Sequence, residues 1–318
     1  MGETEISWTH RPGTVGRSWN PGQGCSRVSA GCMRCYAERL AARFAERGWS
    51  QGLIDLRTGK WNGVVRLVPH KLAEPLSWRQ PSTVFVNSMT DMFHEGYTNE
   101  EIAAVFGVMA ATPQHTYQML TKRAHRMREW FEWIARFDCT AANACIGAGE
   151  GMIQDSVGRL TARMTGHYGH IPWPLRNVWL GVSVENQVAA DERIQPLLAT
   201  PAVVRFLSCE PLLDRLDLGW YLDRQLSNQH GDPLPTTNLS WIIAGCESGP
   251  RARPCQVEWL RLLRDQCADA RVPFFLKQAT HTDADLITIG TGSKPKAGGV
   301  IELPYLDGVQ HAAFPEAR

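Results

Sequence analysis

Six short runs of β-branched and aromatic residues recur along the chain: TVFVNS at Thr83, HTYQML at His115, NVWLGVSV at Asn177, AVVRFLS at Ala202, LSWIIAG at Leu239 and VPFFLK at Val272. Near-continuous apolar runs of this kind suit strands buried on both faces, and the stretch between each pair is long enough for a helix. Two intervening stretches carry helix signals. Asn99 precedes Glu100 and Glu101, which suits a helix start, and Val257 to Ala270 places Leu260, Leu263 and Cys267 on one face. The alternation predicts an α/β fold. The longest apolar stretch, Ile102 to Ala111, is about half the length of a membrane span and reads as a core helix.

The runs end in polar clusters: Asn87-Ser88-Met89-Thr90-Asp91, Thr121-Lys122-Arg123, Ser183-Val184-Glu185-Asn186, Ser208-Cys209-Glu210-Pro211 and Gly245-Cys246-Glu247-Ser248-Gly249. In a parallel α/β barrel the C-terminal strand ends share one rim, where the reaction site is built. Each cluster alone is also a set of helix caps, and its repetition is what favours a shared site. Three segments break the alternation and read as insertions: Gly48 to Ser82, Cys139 to Leu175 with its Gly-rich IGAGEGM, and Tyr221 to Asn238. GAGEG at Gly147 to Gly151 lacks the lysine and strand context of a phosphate loop and reads as a flexible turn. The tail after Thr280 contains GTGSKPKAGG and reads as a mobile extension.

With 33 Lys and Arg against 32 Asp and Glu, the net charge of +1 gives no global field for nucleic acid or acidic lipid. A local patch would have to serve, and Lys122, Arg123, His125, Arg126 and Arg128 are the candidate, with a solvated helix face as the plainer reading. Trp19, Trp61 and Trp78 are candidate stacking surfaces or ordinary core. The opening MGETEISWTH has no apolar core of a secretory signal, and nine cysteines, an odd number, argue for reduced thiols. A cytoplasmic protein with no membrane association is expected.

The strongest local signal is GCSRVSAGCMRCYAERLAARF, in which Cys25, Cys32 and Cys35 form C-x6-C-x2-C. Tyr36, Leu40 and Phe44 share a helical stripe that Gly48 can stop, placing Cys35 in the first turn, where free N–H groups favour thiolates. Three protein thiolates leave one iron of a [4Fe–4S] cluster open for an exogenous ligand, whereas structural zinc is closed by four protein ligands. Two readings of the residues stand: a redox cluster with an open iron, or a noncatalytic zinc-binding nucleic-acid or protein interaction module whose fourth ligand is His10 or a distant Cys.

In order along the chain, WNPGQGC at Trp19 to Cys25, GCMRCYAERL at Gly31 to Leu40, FVNSMTDMFHE at Phe85 to Glu95, LTKR at Leu120 to Arg123, NVWLGVSVENQ at Asn177 to Gln187, RFLSCEPLL at Arg205 to Leu213 and AGCESGPRARP at Ala244 to Pro254 resemble the three-cysteine-motif radical S-adenosylmethionine-like family of phages and bacteria, found near three-Cys-motif partner proteins. The six-residue first spacing, where three is commoner, and Arg34, where an aromatic is usual, depart from the general radical-enzyme pattern. The resemblance implies a partial TIM-like (β/α) barrel of the radical SAM type over residues 1–280, with insertions near 48–82, 139–175 and 221–238 and a C-terminal extension over 281–318. It implies a [4Fe–4S] cluster on Cys25, Cys32 and Cys35, S-adenosyl-L-methionine as the second cofactor, and release of a 5′-deoxyadenosyl radical that abstracts hydrogen. Its implied partners are a DNA or nucleotide substrate for base modification or repair, a three-Cys-motif partner protein and an external electron donor.

Charge and strand order then suggest roles. Asp91 with Ser88 and Thr90 would receive the methionine ammonium, Lys122 or Arg123 its carboxylate, and Ser183 or Glu185 the ribose hydroxyls, with Glu210 and Glu247 completing the polar strand ends. Cys209 and Cys246 are candidate hydrogen-atom donors, with buried packing as the plainer reading. Cys139, Cys145, Cys255 and Cys267 have no short metal spacing and read as structural; His94-Glu95 and His167 with His170 read as loop or surface residues.

Overall fold

The computed structural model describes residues 3–153, 164, 166–222, 239–249 and 252–316. All six predicted strands form. With two more they make one eight-stranded sheet, numbered here β1 (Val15–Trp19), β2 (Ser82–Val86), β3 (Thr116–Thr121), β4 (Val178–Ser183), β5 (Val204–Cys209), β6 (Trp241–Gly245), β7 (Phe274–Thr280) and β8 (Val300–Glu302). Their order in the sheet follows the chain. The fold is therefore mixed α/β, with a mostly parallel sheet. The helices are α1 (Tyr36–Ala42), α2 (Asn99–Ala110), α3 (Ala124–Ile134), α4 (Ala141–Met152), α5 (Gln187–Ala199) and α6 (Val257–Asp269), with shorter turns between. None among the described residues is long and apolar enough to cross a membrane.

The chain divides into two compact units, Met1–Leu180 with Thr200–Val203, and Gly181–Ala199 with Val204–Arg318. In the first, β1 pairs parallel with β2 and β2 with β3. Every residue of β2 is buried, as its unbroken apolar pattern requires. Helix α2 is buried from Ile102 to Ala110, and its cap is Thr98, one residue before the expected start. Thr98 Oγ1 accepts from Glu101 N–H while the Glu101 carboxylate accepts from Thr98 N–H, a capping box.

The Gly-rich segment read as a flexible turn is instead the C-terminal half of α4. Of its glycines Gly149 serves contact, since a Cβ there would lie 3.1 Å from the Ala104 carbonyl oxygen of α2, and Gly107 of α2 answers it, a Cβ there coming to 2.0 Å from the Cys145 carbonyl oxygen. The segment 48–82 is likewise more ordered than expected. It contains the antiparallel pair Ile54–Asp55 with Lys60–Trp61, a strand Arg66–Leu67 that pairs with Gly22–Gln23, and a short helix Pro69–Leu72.

In the second unit β5, β6 and β7 pair in parallel and β8 adds antiparallel to β7. The described part of the expected C-terminal extension thus joins the sheet. Residues 281–299, with the GTGSKPKAGG tract, and residues 223–238 of the third insertion lie outside the described residues.

Candidate functional site: the cysteine loop

The cysteine loop leaves β1 through Asn20 and Pro21, and two backbone constraints set its path. Gly24 has φ +89°, and a Cβ there would lie 2.1 Å from the Val64 carbonyl oxygen, so only glycine fits immediately before Cys25. Asn87, at the end of β2, also takes a left-handed φ of 62° and accepts from Gly22 N–H at 3.3 Å. From there Ser88 Oγ donates to Asn20 Oδ1 at 3.1 Å, and Thr90 Oγ1 donates to the Gly24 carbonyl. Ser88 and Thr90, both predicted to touch a cofactor, hold the cysteine loop against the strand end.

Cys25, Cys32 and Cys35 are all half-buried with free thiols. Burial pushes the Cys25 thiol up to about 12, reinforced by Asp91 and by the other two cysteines and opposed by the Arg123 guanidinium. Cys35 is the N-cap of α1 rather than a first-turn residue. Burial raises its pKa, while the Ala37 and Glu38 N–H groups and the Lys122 ammonium pull it down. Among the described residues no three His, Cys, Asp or Glu side chains converge on a single metal-ion position. His10 Nε2 is held by the Thr4 carbonyl at 2.7 Å, which occupies the ligand proposed to complete a zinc site.

Arg123 is the keystone of the loop. Its side chain is 4% exposed and all five of its donors are used. Nε donates to Glu95 Oε2 at 3.1 Å, Nη1 to Asp91 Oδ2 at 3.2 Å and toward Cys25 Sγ at 4.0 Å, and Nη2 to the Ser26 carbonyl at 3.2 Å and Ser26 Oγ at 2.7 Å. Asp91 is equally committed. Its Oδ1 accepts from Phe93 N–H and Thr121 Oγ1, and its Oδ2 from Lys122 N–H and Arg123. Four hydrogen bonds fill this buried carboxylate, leaving no place for a methionine ammonium. Arg123 is likewise spent as a carboxylate receptor, whereas the half-buried Lys122 ammonium has no carboxylate partner among the described residues.

His94 is no surface residue. It is 6% exposed, its Nδ1 accepts from Gly96 N–H at 3.0 Å, and Nε2, which therefore carries the proton, lies 2.9 Å from Ser26 Oγ. Burial and the Arg123 charge lower its pKa, favouring the neutral ring. Three residues that sequence reasoning missed complete the frame. Arg27 Nε donates to Glu38 Oε2 at 3.0 Å, the buried Glu38 also accepts from Trp61 N–H, and Asn20 Oδ1 accepts from Met89 N–H. Glu38 in α1 was legible only as an acid in a first turn, and nothing in its spacing marks it as an internal anchor.

The basic stretch offered as a candidate phosphate patch, with a solvated helix face as the plainer reading, is mostly spent. Arg123 is buried, Arg126 Nη2 donates to Asn99 Oδ1 at 2.6 Å, and Arg128 pairs with Glu132 at 3.1 Å. Trp19 is fully buried core, and Trp78 lies under the Arg17 guanidinium at 5.1 Å.

The other predicted strand-end residues sit in the second unit. Arg193 Nη1 donates to the Ser183 carbonyl at 2.8 Å and to Glu185 Oε2 at 2.9 Å, a pair exposed by only 2% and 1%. The Glu185 carboxylate therefore serves to lock β4 to α5. Glu210 pairs with Lys277, and Glu247 with Arg253. Cys209 and Cys246 are buried, and burial raises the Cys209 thiol far up. Cys145, Cys255 and Cys267 are buried as expected of structural thiols, and the Cys139 side chain lies outside the described residues.

No curated protein and no solved structure matches the chain. One protein family does, over residues 3–315, and its extent takes in the cysteine loop, the strand ends and both units. The chain belongs to the family described as Protein of unknown function (DUF5131).

Proposed function

We propose that the protein is a radical S-adenosylmethionine enzyme of the partial TIM-like barrel type, working in a reducing cytoplasm on a nucleobase or nucleotide. The observation that carries this reading is the cysteine loop: three half-buried thiols on one short segment, pinned by a buried guanidinium and faced by helix N–H groups and an ammonium. This donor set fits an anionic metal–sulfur cluster. The parallel run of strands supports the barrel reading without closing it.

Cys25, Cys32 and Cys35 would hold the cluster, and Lys122 is the cation left to meet the cofactor carboxylate. When bound, cluster and S-adenosylmethionine supply one-electron reductive cleavage and hydrogen abstraction from an unactivated C–H bond. The chain's own residues orient and shield. Arg123 fixes Cys25 and Ser26 to the ends of β2 and β3, and its positive charge favours thiolate over thiol at Cys25. Glu38 holds Arg27, and with it the span between Cys25 and Cys32, from inside the fold. Neutral His94 donates from Nε2 to Ser26 Oγ and adds no charge of its own to the loop.

The test is anaerobic reconstitution with iron and sulfide, followed by incubation of the reduced protein with S-adenosylmethionine and deuterated nucleosides, DNA or peptides. Stoichiometric iron and sulfide, with deuterium passing from a nucleic-acid component into 5′-deoxyadenosine, is the expected result. Stoichiometric zinc without iron would overturn the reading. Label transfer from a peptide alone would remove the nucleic-acid substrate and keep the radical chemistry.

A further inference from the structure

The loop divides its cysteines into one and two. Cys25 is tied to the strand ends: its Sγ donates to the Ser26 carbonyl at 3.4 Å and lies 4.0 Å from Arg123 Nη1. Cys32 and Cys35 share a single turn, in which the Cys35 N–H donates to the Cys32 carbonyl at 3.3 Å. A turn closed by such a bond brings its end Cα atoms to less than about 7 Å. Disulfides span about 4.4–6.8 Å between Cα atoms, so the backbone of this turn puts Cys32 and Cys35 within reach of a bridge.

The turn is fastened on its C-terminal side. Tyr36 Oη donates to the Ser88 carbonyl at 2.7 Å, and the Glu38 carboxylate accepts from Arg27 and from Trp61 N–H. A pair of thiols held in one fixed turn reacts as an intramolecular pair, which favours an internal bond over two separate adducts. The site is also open. Met33 and Arg34, the two residues between the cysteines, are exposed, and so are Tyr36, Leu40 and Phe44, whose stripe along α1 faces solvent. By contrast Cys145, Cys209, Cys246, Cys255 and Cys267 are buried, out of reach of a dissolved reagent.

We propose that Cys32 and Cys35 form a dithiol–disulfide exchange site whose substrate is a small disulfide of the glutathione class. One cysteine sulfur attacks the small disulfide, whose S–S bond breaks; one small thiol leaves and a mixed disulfide remains on the protein. The other cysteine sulfur then attacks the protein-side sulfur of that bond, forming the Cys32–Cys35 bridge and expelling the second small thiol. The two cysteine protons go to the two leaving thiolates. The protein dithiol gives up two electrons and the small disulfide takes them. The bridge withdraws two of the three loop thiols from ligation, and an excess of small thiol restores them by the reverse steps. The exchange stands apart from the cluster reading, because every step runs on the chain without metal.

The test incubates the full chain with a chelator in glutathione buffers running from fully reduced to fully oxidised, blocks the remaining thiols by alkylation and maps tryptic peptides by mass spectrometry. Trypsin cuts after Arg27, Arg34 and Arg39, so the bridge holds Val28–Arg34 to Cys35–Arg39 as one linked pair. That pair is expected to rise with the oxidised fraction, to exceed glutathione adducts of Cys32 and Cys35 by about tenfold or more, and to vanish with dithiothreitol. In Cys35→Ser, Cys32 should carry glutathione instead. A bridge from Cys25 to either of the others would overturn the proposal. So would glutathione adducts without an internal bond, or alkylation of both thiols across the whole range. Iron uptake is measured separately on the reduced chain, so a failed reconstitution overturns the cluster reading and leaves the exchange site standing.

Discussion

Arg123 shows how much one side chain can decide in a loop with little regular structure. It touches Cys25, Ser26, Asp91 and Glu95, yet its two anionic contacts differ in weight because Asp91 is buried and the Glu95 side chain is 67% exposed. Removing the cation should leave Asp91 charged and uncompensated, a loss of about 3 kcal/mol for Arg123→Met. The exposed partner contributes little, so Glu95→Gln should cost about 0–1 kcal/mol. Urea unfolding of the two variants checks the order, and equal midpoints would show that the guanidinium is not the anchor its geometry describes. The sequence displays Arg123 only as one member of a basic stretch. Its burial is a tertiary fact, because its partners come from the cysteine loop and from the turn after β2.

At the scale of elements, close contact between helices explains a glycine inside the stretch read as a core helix. Gly107 presses α2 against the Cys145 carbonyl, so Gly107→Ala must push the two helices apart, and an overpacking cost of about 2 kcal/mol is expected from thermal unfolding. Gly151, whose added Cβ would meet nothing, serves as the control, and its change to Ala should be neutral or slightly stabilising. A second element is fastened by charge. The hairpin strands Tyr305–Leu306 and Val309–Gln310 flank Asp307, which accepts from Arg261 and Arg264 of α6. Those hydrogen bonds hold its carboxyl well below the usual carboxylate range. A depressed folded-state pKa gives stability that is present above the ordinary carboxylate pKa and fades as pH falls below it. Amide protection factors in the hairpin, corrected for the intrinsic pH dependence of exchange, should therefore fall on acidification before those of the rest of the sheet. Asp307→Asn should show the lower protection already at neutral pH, and its pH dependence in that region should flatten. Neither clasp was legible beforehand: the α2–α4 contact joins segments far apart in sequence, and β8 with its hairpin follows a tract of low apolar content.

For the whole molecule, what could be read in advance was the part encoded by local pattern. Six strands, the α2 core helix and the cysteine motif all announce themselves within a dozen residues, because burial on both faces demands particular residue types in a row and three cysteines in eleven residues stand out by spacing alone. β1 escaped because Gly16 and Arg17 interrupt its apolar pattern. Gly16 is there because the turn Ser7–Thr9 and His10 press on it, with Thr9 Oγ1 2.6 Å from where a Cβ would stand. The polar strand ends were legible as positions and not as roles. Asp91 and Glu185 look like cofactor ligands in sequence and serve as internal ties, since only packing tells whether a carboxylate's lone pairs are already taken. The same separation of ligands from framework predicts how the molecule tolerates their loss. On the proposed cluster reading each change of Cys25, Cys32 or Cys35 to Ala should abolish iron and sulfide binding, and because the three are half-buried and lie in no strand, circular dichroism and the melting transition should stay close to wild type. Cys145→Ala and Cys267→Ala should do the reverse, keeping iron and losing about 1–2 kcal/mol of core packing. Retention of a full complement of iron by all three loop variants would contradict the assignment.

The clamp on the loop also imposes a timetable on biosynthesis. Cys25 and Arg123 are 98 positions apart in the chain. A ribosome adding about 5–20 residues per second needs roughly 5–20 s to cover that interval, during which Cys25 waits without the guanidinium that fixes it. Through that window the thiols are open to oxidation and to capture by stray zinc. Cells that make this protein under oxygen would then lose a share of each batch before the loop closes, and the loss should grow when translation between codons 35 and 123 is slowed and shrink when it is hastened, with no change in the finished protein.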